Sequence, residues 1–279
     1  VKKGELGWMG GPALLWFLGF LLAPLIQVFY LSFQSRGLYG GVENDFQFGN
    51  YLRSFQEVYS WILLRSYGLA ILAAALCVLI ALPLAWGLTG LSLKTKKRVL
   101  ALLAVPFFMN LIARVYSLKS FLHTEGPLAH LLEFLGYGGE TLQLSQNFPL
   151  VMYGLVVTYL PFLLLPVWVQ LEKMDPAQME AALDLGESPW GGFRKVILPQ
   201  LRPALASGLL LVLVPVLGEY VIPDLLGGAK TMLAGNLISE QFLKARDWPF
   251  GAALAVELVV LLTLTSLLLL RWGKKGYGR

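Results

Sequence analysis

Long apolar runs alternate with short polar segments along the whole chain. Six runs stand out: Trp8–Phe33, Ser66–Leu91, Val99–Phe121, Phe148–Leu171, Pro203–Ile222 and Phe250–Trp272. Each approaches or exceeds the roughly 20 residues that a helix needs to cross a bilayer. A closed barrel would need shorter, alternating segments, and open sheet edges cannot face lipid. The pattern therefore predicts an all-α integral membrane protein with six transmembrane helices. Lys2 and Lys3 precede the first run, as they would in a signal peptide. Its apolar part outruns the roughly 7–15 residues of such a segment and no small-x-small site follows, so it is read as a mature helix.

The polar segments fall at residues 34–65, 92–98, 122–147, 172–202 and 223–249. The first is rich in Gly and mixed charge, with a short amphipathic piece expected around Gly49–Val58; the second is short and basic. No soluble catalytic domain, long linker or low-complexity tract interrupts them, so residues 1–279 are read as one membrane domain. The lone Gly227-Gly228 pair reads as a turn.

Composition agrees with the bilayer as solvent. The mean hydropathy is +0.66, and 14% of residues are charged, against about a quarter in soluble domains. Lys and Arg are unevenly placed. With the N-terminus inside, the inner segments hold Lys2, Lys3, Lys94, Lys96, Lys97, Arg98, Lys173, Arg194, Lys195, Arg202, Arg271, Lys274, Lys275 and Arg279; the outer ones hold fewer, in longer loops. Both termini are thus expected in the cytoplasm. This asymmetry accounts for the net charge of +5 without a nucleic-acid partner.

Candidate chemistry is sparse. Cys77 is the only cysteine, which excludes an intrachain disulfide and a thiolate cluster; it reads as a small helix-packing or lipid-facing residue. His123 and His130 lie seven apart with no nearby ligand set, so no metal site is expected. Phosphate-loop, HExxH and GxSxG patterns are missing. With no catalytic residue in view, a transporter, channel or anchor subunit remains.

The segment 172–202 is more elaborate than a connector. Asp175-Pro176-Ala177-Gln178 has the chemistry of a helix start, with Asp as cap, Pro at the first position and Gln placed to close a capping box. That helix is expected to end at Gly186, and Ser188-Pro189 repeats the signal before a second short helix, Trp190–Leu198. Met179, Ala182, Leu183 and Gly186 share one side by spacing, an apolar knob ringed by Glu172, Asp175, Glu180, Asp184 and Glu187. The acids disfavour an anionic lipid surface and favour a protein groove as the knob's partner.

The run EAALDLGESPWGGFRKVILP, Glu180 to Pro199, resembles the cytoplasmic signature of permease subunits of binding-protein-dependent ABC importers, EAA-x3-G-x9-I-x-LP. Glu180, Ala181, Ala182, Gly186, Leu198 and Pro199 match, while Val196 stands where the pattern has Ile. The resemblance implies a type I ABC importer permease of the bacterial inner membrane, a five-helix core plus an N-terminal helix. It makes residues 172–199 a coupling segment, with Met179, Glu180, Ala181, Ala182, Leu183, Gly186, Leu198 and Pro199 facing an ATP-binding subunit. The implied partners are two such subunits, a second related permease chain and an extracytoplasmic binding protein. ATP and Mg would sit on the partner ATPase, and no cofactor on this chain. Pro106–Leu122, Ile222–Ile238 and Phe242–Leu254 are similar to the spermidine/putrescine permeases, the B-type subunit most closely, and imply a polyamine cargo.

A polyamine path needs carboxylates, polar acceptors and aromatic faces, and an ionisable residue inside a span marks a pathway or a pair. Glu219 at the end of the fifth run is the leading candidate for substrate contact, with Tyr220 and Asp224 beside it; the competing role is a structural pair with Arg114 in the third run. Glu257 in the last run either faces the path or packs. Asn110, Tyr116, Tyr153, Tyr159 and Trp168 are further lining groups, each of which packing or anchoring would also explain. Another cargo, such as an inorganic anion, an aminophosphonate or ferric ion, remains open within the class. Outside it stand an ion-driven secondary transporter, for which no internal repeat is visible, and an assembly scaffold without transport.

Overall fold

The computed structural model describes residues 5–123, 126–136, 148–228 and 231–274. The basic termini Lys2, Lys3, Lys275 and Arg279, together with Glu125, Glu140 and Lys230, lie outside the described residues. In order come α1 (Glu5–Leu31), a hairpin of β1 (Ser35–Arg36) and β2 (Val42–Glu43), α2 (Gly49–Ser54), α3 (Glu57–Thr89), α4 (Leu93–Phe108), α5 (Leu111–Phe121) and α6 (Pro127–Phe134). There follow α7 (Phe148–Glu172), α8 (Ala177–Asp184), α9 (Pro189–Gly192), a π-helical turn Phe193–Ile197, α10 (Leu198–Gly218), a second π-helical turn Pro223–Gly227, α11 (Ala234–Leu243) and α12 (Trp248–Lys274).

Among the described residues, five stretches are long and apolar enough to cross a membrane: Leu14–Leu31, α3, α7, Pro189–Gly218 and α12. The sixth expected run is helical but broken, because Asn110 leaves helical geometry (ψ 133°) and its side-chain oxygen accepts from the amides of Ile112 (2.9 Å) and Ala113 (3.4 Å). One Asn thereby ends α4 and caps α5, and neither half alone reaches spanning length.

The chain divides into two compact units, Val1–Trp61 with Leu237–Leu261, and Ile62–Asn236 with Leu262–Arg279. In the first, the side chains of α1 from Leu14 to Tyr30 are largely exposed. An aromatic cluster forms where the chain leaves this helix: Phe33 meets Phe29, Phe46, Phe48 and Tyr51 at centroid distances of 5.2–5.4 Å. Buried Asn50 donates to the carbonyls of Ser32 (3.0 Å) and Gln34 (2.8 Å), closing the loop. Arg36 donates to the Ala245 carbonyl (2.8 Å) and Gly41 N–H to that of Arg246 (2.9 Å). Arg246 itself has φ 52°.

A salt bridge in this unit joins Arg53 to Asp247 at 2.7 Å. The Arg53 guanidinium also lies 4.0 Å from the Phe250 ring centroid and donates to Tyr59. Burial alone would lower the Arg53 pKa; the hydrogen bonds to Tyr59 and Asp247 outweigh it and raise the pKa, so the charge is retained. Asp247 additionally accepts from the Phe250 amide in the first turn of α12 (3.3 Å), a stabilising place for an acid.

In the second unit α7 is the most buried span and packs along α10. Because lipid tails are as apolar as Leu, helices in a membrane associate through close packing of small residues rather than through a hydrophobic drive. α3 shows this directly: Ala70, Ala73, Ala74, Cys77, Ala81 and Ala85 form one fully buried stripe, and Cys77 lies against the Val156 carbonyl of α7. A polar link, Tyr67 to Thr265 at 2.6 Å, ties α3 to the end of α12. Gly208 lets α10 lie close against α7, where an added Cβ would meet Leu163 Cδ1 at 3.0 Å and its Cα at 3.1 Å. Because backbone cannot yield like a side-chain tip, Gly208→Val is expected to destabilise the unit by about 1–3 kcal/mol. Thermal unfolding in detergent reads this out; an unchanged midpoint would mean that the two helices separate freely.

Candidate functional site

The segment after α7 folds from local rules. Asp175 Oδ1 accepts from the Ala177 amide (3.0 Å), starting α8. Gln178 does not close the expected capping box; its side-chain oxygen accepts from Gln200 (2.7 Å) instead. α8 ends in a Schellman motif, with Gly186 at φ 87° donating to the Leu183 carbonyl and Glu187 to that of Ala182. Only Gly adopts this backbone without strain. Ser188 Oγ then accepts from the Gly191 amide (3.0 Å), and Pro189 occupies the first turn of α9.

From there the chain departs from expectation. Residues Trp190–Leu198 do not make a separate short helix. α9 passes through the π-helical turn Phe193–Ile197 into α10, so Pro189–Gly218 is one helical stretch. Pro199 has no N–H to offer the ladder, and the preceding turn absorbs the irregularity, with the Leu198 amide bonding the Phe193 carbonyl. Leu198 and Pro199 therefore form the start of α10.

The apolar side of α8 is also turned differently. Met179 and Ala182 face inward against Gly192, where an added Cβ would lie 2.8 Å from Met179 Sδ, and Ala182 is buried. The exposed apolar groups are Leu183, Leu185 and Trp190, with relative exposures of 40%, 86% and 70%, accompanied by exposed Glu180, Ala181 and Gly186. Trp190 stacks on Phe193, which meets Trp86 of α3 edge-on at 5.5 Å. Lys195 pairs with Glu187, and Lys96 with Glu172, each at 2.6 Å. A recess of about 300 Å³ beside α8 is lined by Trp86, Met174, Asp175, Met179 and Glu180 among others.

At the other end of α10 the polypeptide turns at Glu219, which has extended geometry (ψ 128°) and is 6% exposed. Its Oε2 accepts from the Tyr159 hydroxyl of α7 at 2.5 Å. Its Oε1 accepts from the amides of Val221 (2.9 Å) and Ile222 (3.4 Å). Three donors thus satisfy a carboxylate that would otherwise be costly to bury. The start of α11 clamps the same turn: a Cβ on Gly235 would sit 2.7–2.8 Å from the carbonyl oxygens of Gly218 and Glu219, and Asn236 donates to the Tyr220 carbonyl (2.9 Å). Ser66 holds the Ala234 amide at 2.8 Å.

Of the charged residues expected near the path, Glu219 is the buried one. The Tyr220 ring is 49% exposed and Asp224 is exposed, on the π-helical turn that packs against α5 and α7. Arg114 on α5 donates to the Met109 carbonyl (3.3 Å). Asn110 serves as the α5 cap, and the Tyr116 ring is exposed. Glu257 belongs to the first unit, where it accepts from Ser54 Oγ at 2.5 Å. Trp168 donates to Glu172 at the C-terminal end of α7. Sequence reasoning missed the Tyr159–Glu219 bond, because nothing local links positions sixty residues apart. It also missed Leu185 and Trp190, whose apolar character beside Gly186 and Ser188-Pro189 was the available signal.

Residues 20–275 match the family described as binding-protein-dependent transport system inner membrane component. The chain is 38% identical over 257 residues to the spermidine/putrescine transport system permease protein PotB of Escherichia coli strain K12, covering 92% of this chain and 93% of that one. It is 35% identical to PotB of Haemophilus influenzae, over 89% and 87% of the two chains. Among solved structures, a bacterial ABC transporter involved in import of the acidic polysaccharide alginate superposes with a TM-score of 0.78 at 18% identity, over 97% and 96% of the chains. That likeness establishes the fold, a type I ABC importer permease. The chain belongs to the family of inner membrane components of binding-protein-dependent transport systems, the permeases of ABC importers.

Proposed function

We propose that this permease carries polyamines, spermidine or putrescine, into the cytoplasm by alternating access. The observation that carries the cargo is a buried carboxylate, Glu219, at the break between α10 and the following turn, in a chain closely similar to permeases named for spermidine and putrescine. An ammonium group crossing an apolar interior requires such a counter-charge. The path is shared with a second, related permease chain. Hydrolysis belongs to two ATP-binding subunits that hold ATP and Mg, a polyamine-binding protein delivers cargo from outside, and both termini of this chain lie in the cytoplasm. Residues 1–279 act as one permease domain.

The test is ATP- and binding-protein-dependent uptake of labelled spermidine and putrescine into vesicles holding the complete complex. Accumulation of either supports the reading. Absence of both, with uptake of an inorganic anion, overturns the cargo and leaves the family unchanged.

The coupling role of residues 172–199 rests on the exposed patch of Leu183, Leu185 and Trp190 with Glu180 and Gly186 around it. Such a patch, beside a recess able to admit a side chain, suits docking into a groove of the ATP-binding subunit. Leu185→Asp and Glu180→Lys are each expected to insert normally yet lower ATP-driven uptake about tenfold or more, the effect of losing an interface hot spot. ATP hydrolysis that remains fully coupled to uptake in both variants would refute the docking role.

A further inference from the structure

The start of α4 carries Lys94, Lys96, Lys97 and Arg98. Lys96 turns toward α7 and pairs with Glu172, where the coupling segment begins. Lys94, Lys97 and Arg98 share a different face of the helix by their three- and four-residue spacing. All three are exposed, and among the described residues none of them pairs with a carboxylate. The grouping is locally unfavourable, because like charges at these spacings repel and cations in the first turns of a helix oppose its dipole. Topology depends on how many cations a loop holds, not on their meeting on one face. That face continues with exposed Ala101 and with Leu102 and Val105, which are 70% and 56% exposed. From Lys94 to Val105 the helix rises about 16 Å at about 1.5 Å per residue, close to half of the roughly 30 Å hydrocarbon core of a bilayer.

We propose that this face of α4 binds an anionic phospholipid of the leaflet beside the coupling segment, its phosphate held by Lys94, Lys97 and Arg98 and its acyl chains lying along Leu102 and Val105. A soluble anion would satisfy the cations and leave the apolar half of the stripe without a partner. A phospholipid matches both halves, in the right order and over the right length. Clustered cations at the edge of a membrane helix attract anionic headgroups. The break at Asn110 gives the contact a purpose. α4 has 16 residues, about 24 Å of helix, and so cannot fix its own depth by spanning the core as the long helices do. A headgroup held at its polar end sets that depth, beside the Lys96–Glu172 pair that ties α4 to α7.

The experiment places the complete complex, with its partner subunits, in phosphatidylcholine bilayers that contain a trace of photoactivatable lipid, either phosphatidylglycerol or phosphatidylcholine with the reactive group on an acyl chain. Mass spectrometry then reads the adducts on α4. Phosphatidylglycerol is expected to label the stretch around Leu102 and Val105 about tenfold or more above phosphatidylcholine. The double variant Lys97→Gln/Arg98→Gln, which keeps Lys94 and Lys96 for topology, is expected to lose most of that preference, at about fivefold for each cation removed. Exchange of the same two positions, Lys97→Arg with Arg98→Lys, is expected to retain it. Excess inorganic phosphate, at an ionic strength matched with chloride, is expected to leave the preference unchanged; its abolition by phosphate would assign the cations to a free anion and overturn the lipid. Equal labelling by the two lipids in the wild type overturns the proposal, as does a lack of α4 adducts because a partner subunit covers the face. Neither of these results depends on a variant folding.

Discussion

Glu219→Gln is expected to reduce ATP-driven polyamine uptake between about tenfold and more than a hundredfold while the complex still assembles. The substitution removes charge and little else. The amide oxygen of Gln can accept from Val221 and Ile222 as Oε1 does, and its NH2 group can donate to the Tyr159 oxygen, reversing the bond that now runs to Oε2. The cap on the turn after α10 therefore survives. The charge-assisted bond to an ammonium does not, and hydrogen bonds to charged groups contribute about 1.5–3 kcal/mol, where each 1.4 kcal/mol is a factor of about ten. Vesicle uptake, normalised to co-purified ATP-binding subunit, makes the measurement. Wild-type uptake would reduce Glu219 to a capping residue.

The second large effect falls on stability. Arg53→Ala is expected to destabilise the first unit by about 3 kcal/mol or more, because it strands the Asp247 carboxylate, 1% exposed, without its charged partner. The reverse change should cost much less. Asp247→Asn keeps an oxygen for the Phe250 amide, and the Arg53 side chain, 38% exposed, can turn to water, so its loss should approach the roughly 0–1 kcal/mol of a surface pair. Thermal unfolding of the two single variants and the double variant separates the terms. Equal losses from both single variants would contradict the burial argument. The pair gives Asp247 a structural duty at the start of α12.

Much of the fold was legible because the bilayer imposes a simple rule: a spanning segment must satisfy its own backbone, so it must be a long apolar helix. Local chemistry was legible for a similar reason. Asp175, Gly186 and Ser188-Pro189 act through bonds spanning three to five residues, and each appears in the structure as helix start, left-handed stop and second start. The break at Asn110 was missed because a hydropathy count sees through one polar residue, whereas a cap depends on where that residue's oxygen points. The inward turn of Met179 and Ala182 was missed because spacing identifies a helix face but not its neighbour, here Gly192.

The sequence by itself determined the solvent, the all-helical class, the family signature from Glu180 to Pro199 and the candidacy of Glu219, because hydropathy, capping and motif spacing are properties of near neighbours along the chain. Only the tertiary structure decided which groups complete the sites. Tyr159 reaches Glu219 across sixty residues, Arg53 reaches Asp247 across 194, and Met179 finds Gly192 by the folding back of α8. Such partners are chosen by helix packing, in which small residues such as Gly208 and the alanine stripe of α3 let backbones approach. Close approach is an outcome of all the contacting surfaces together, and no single stretch of sequence contains it.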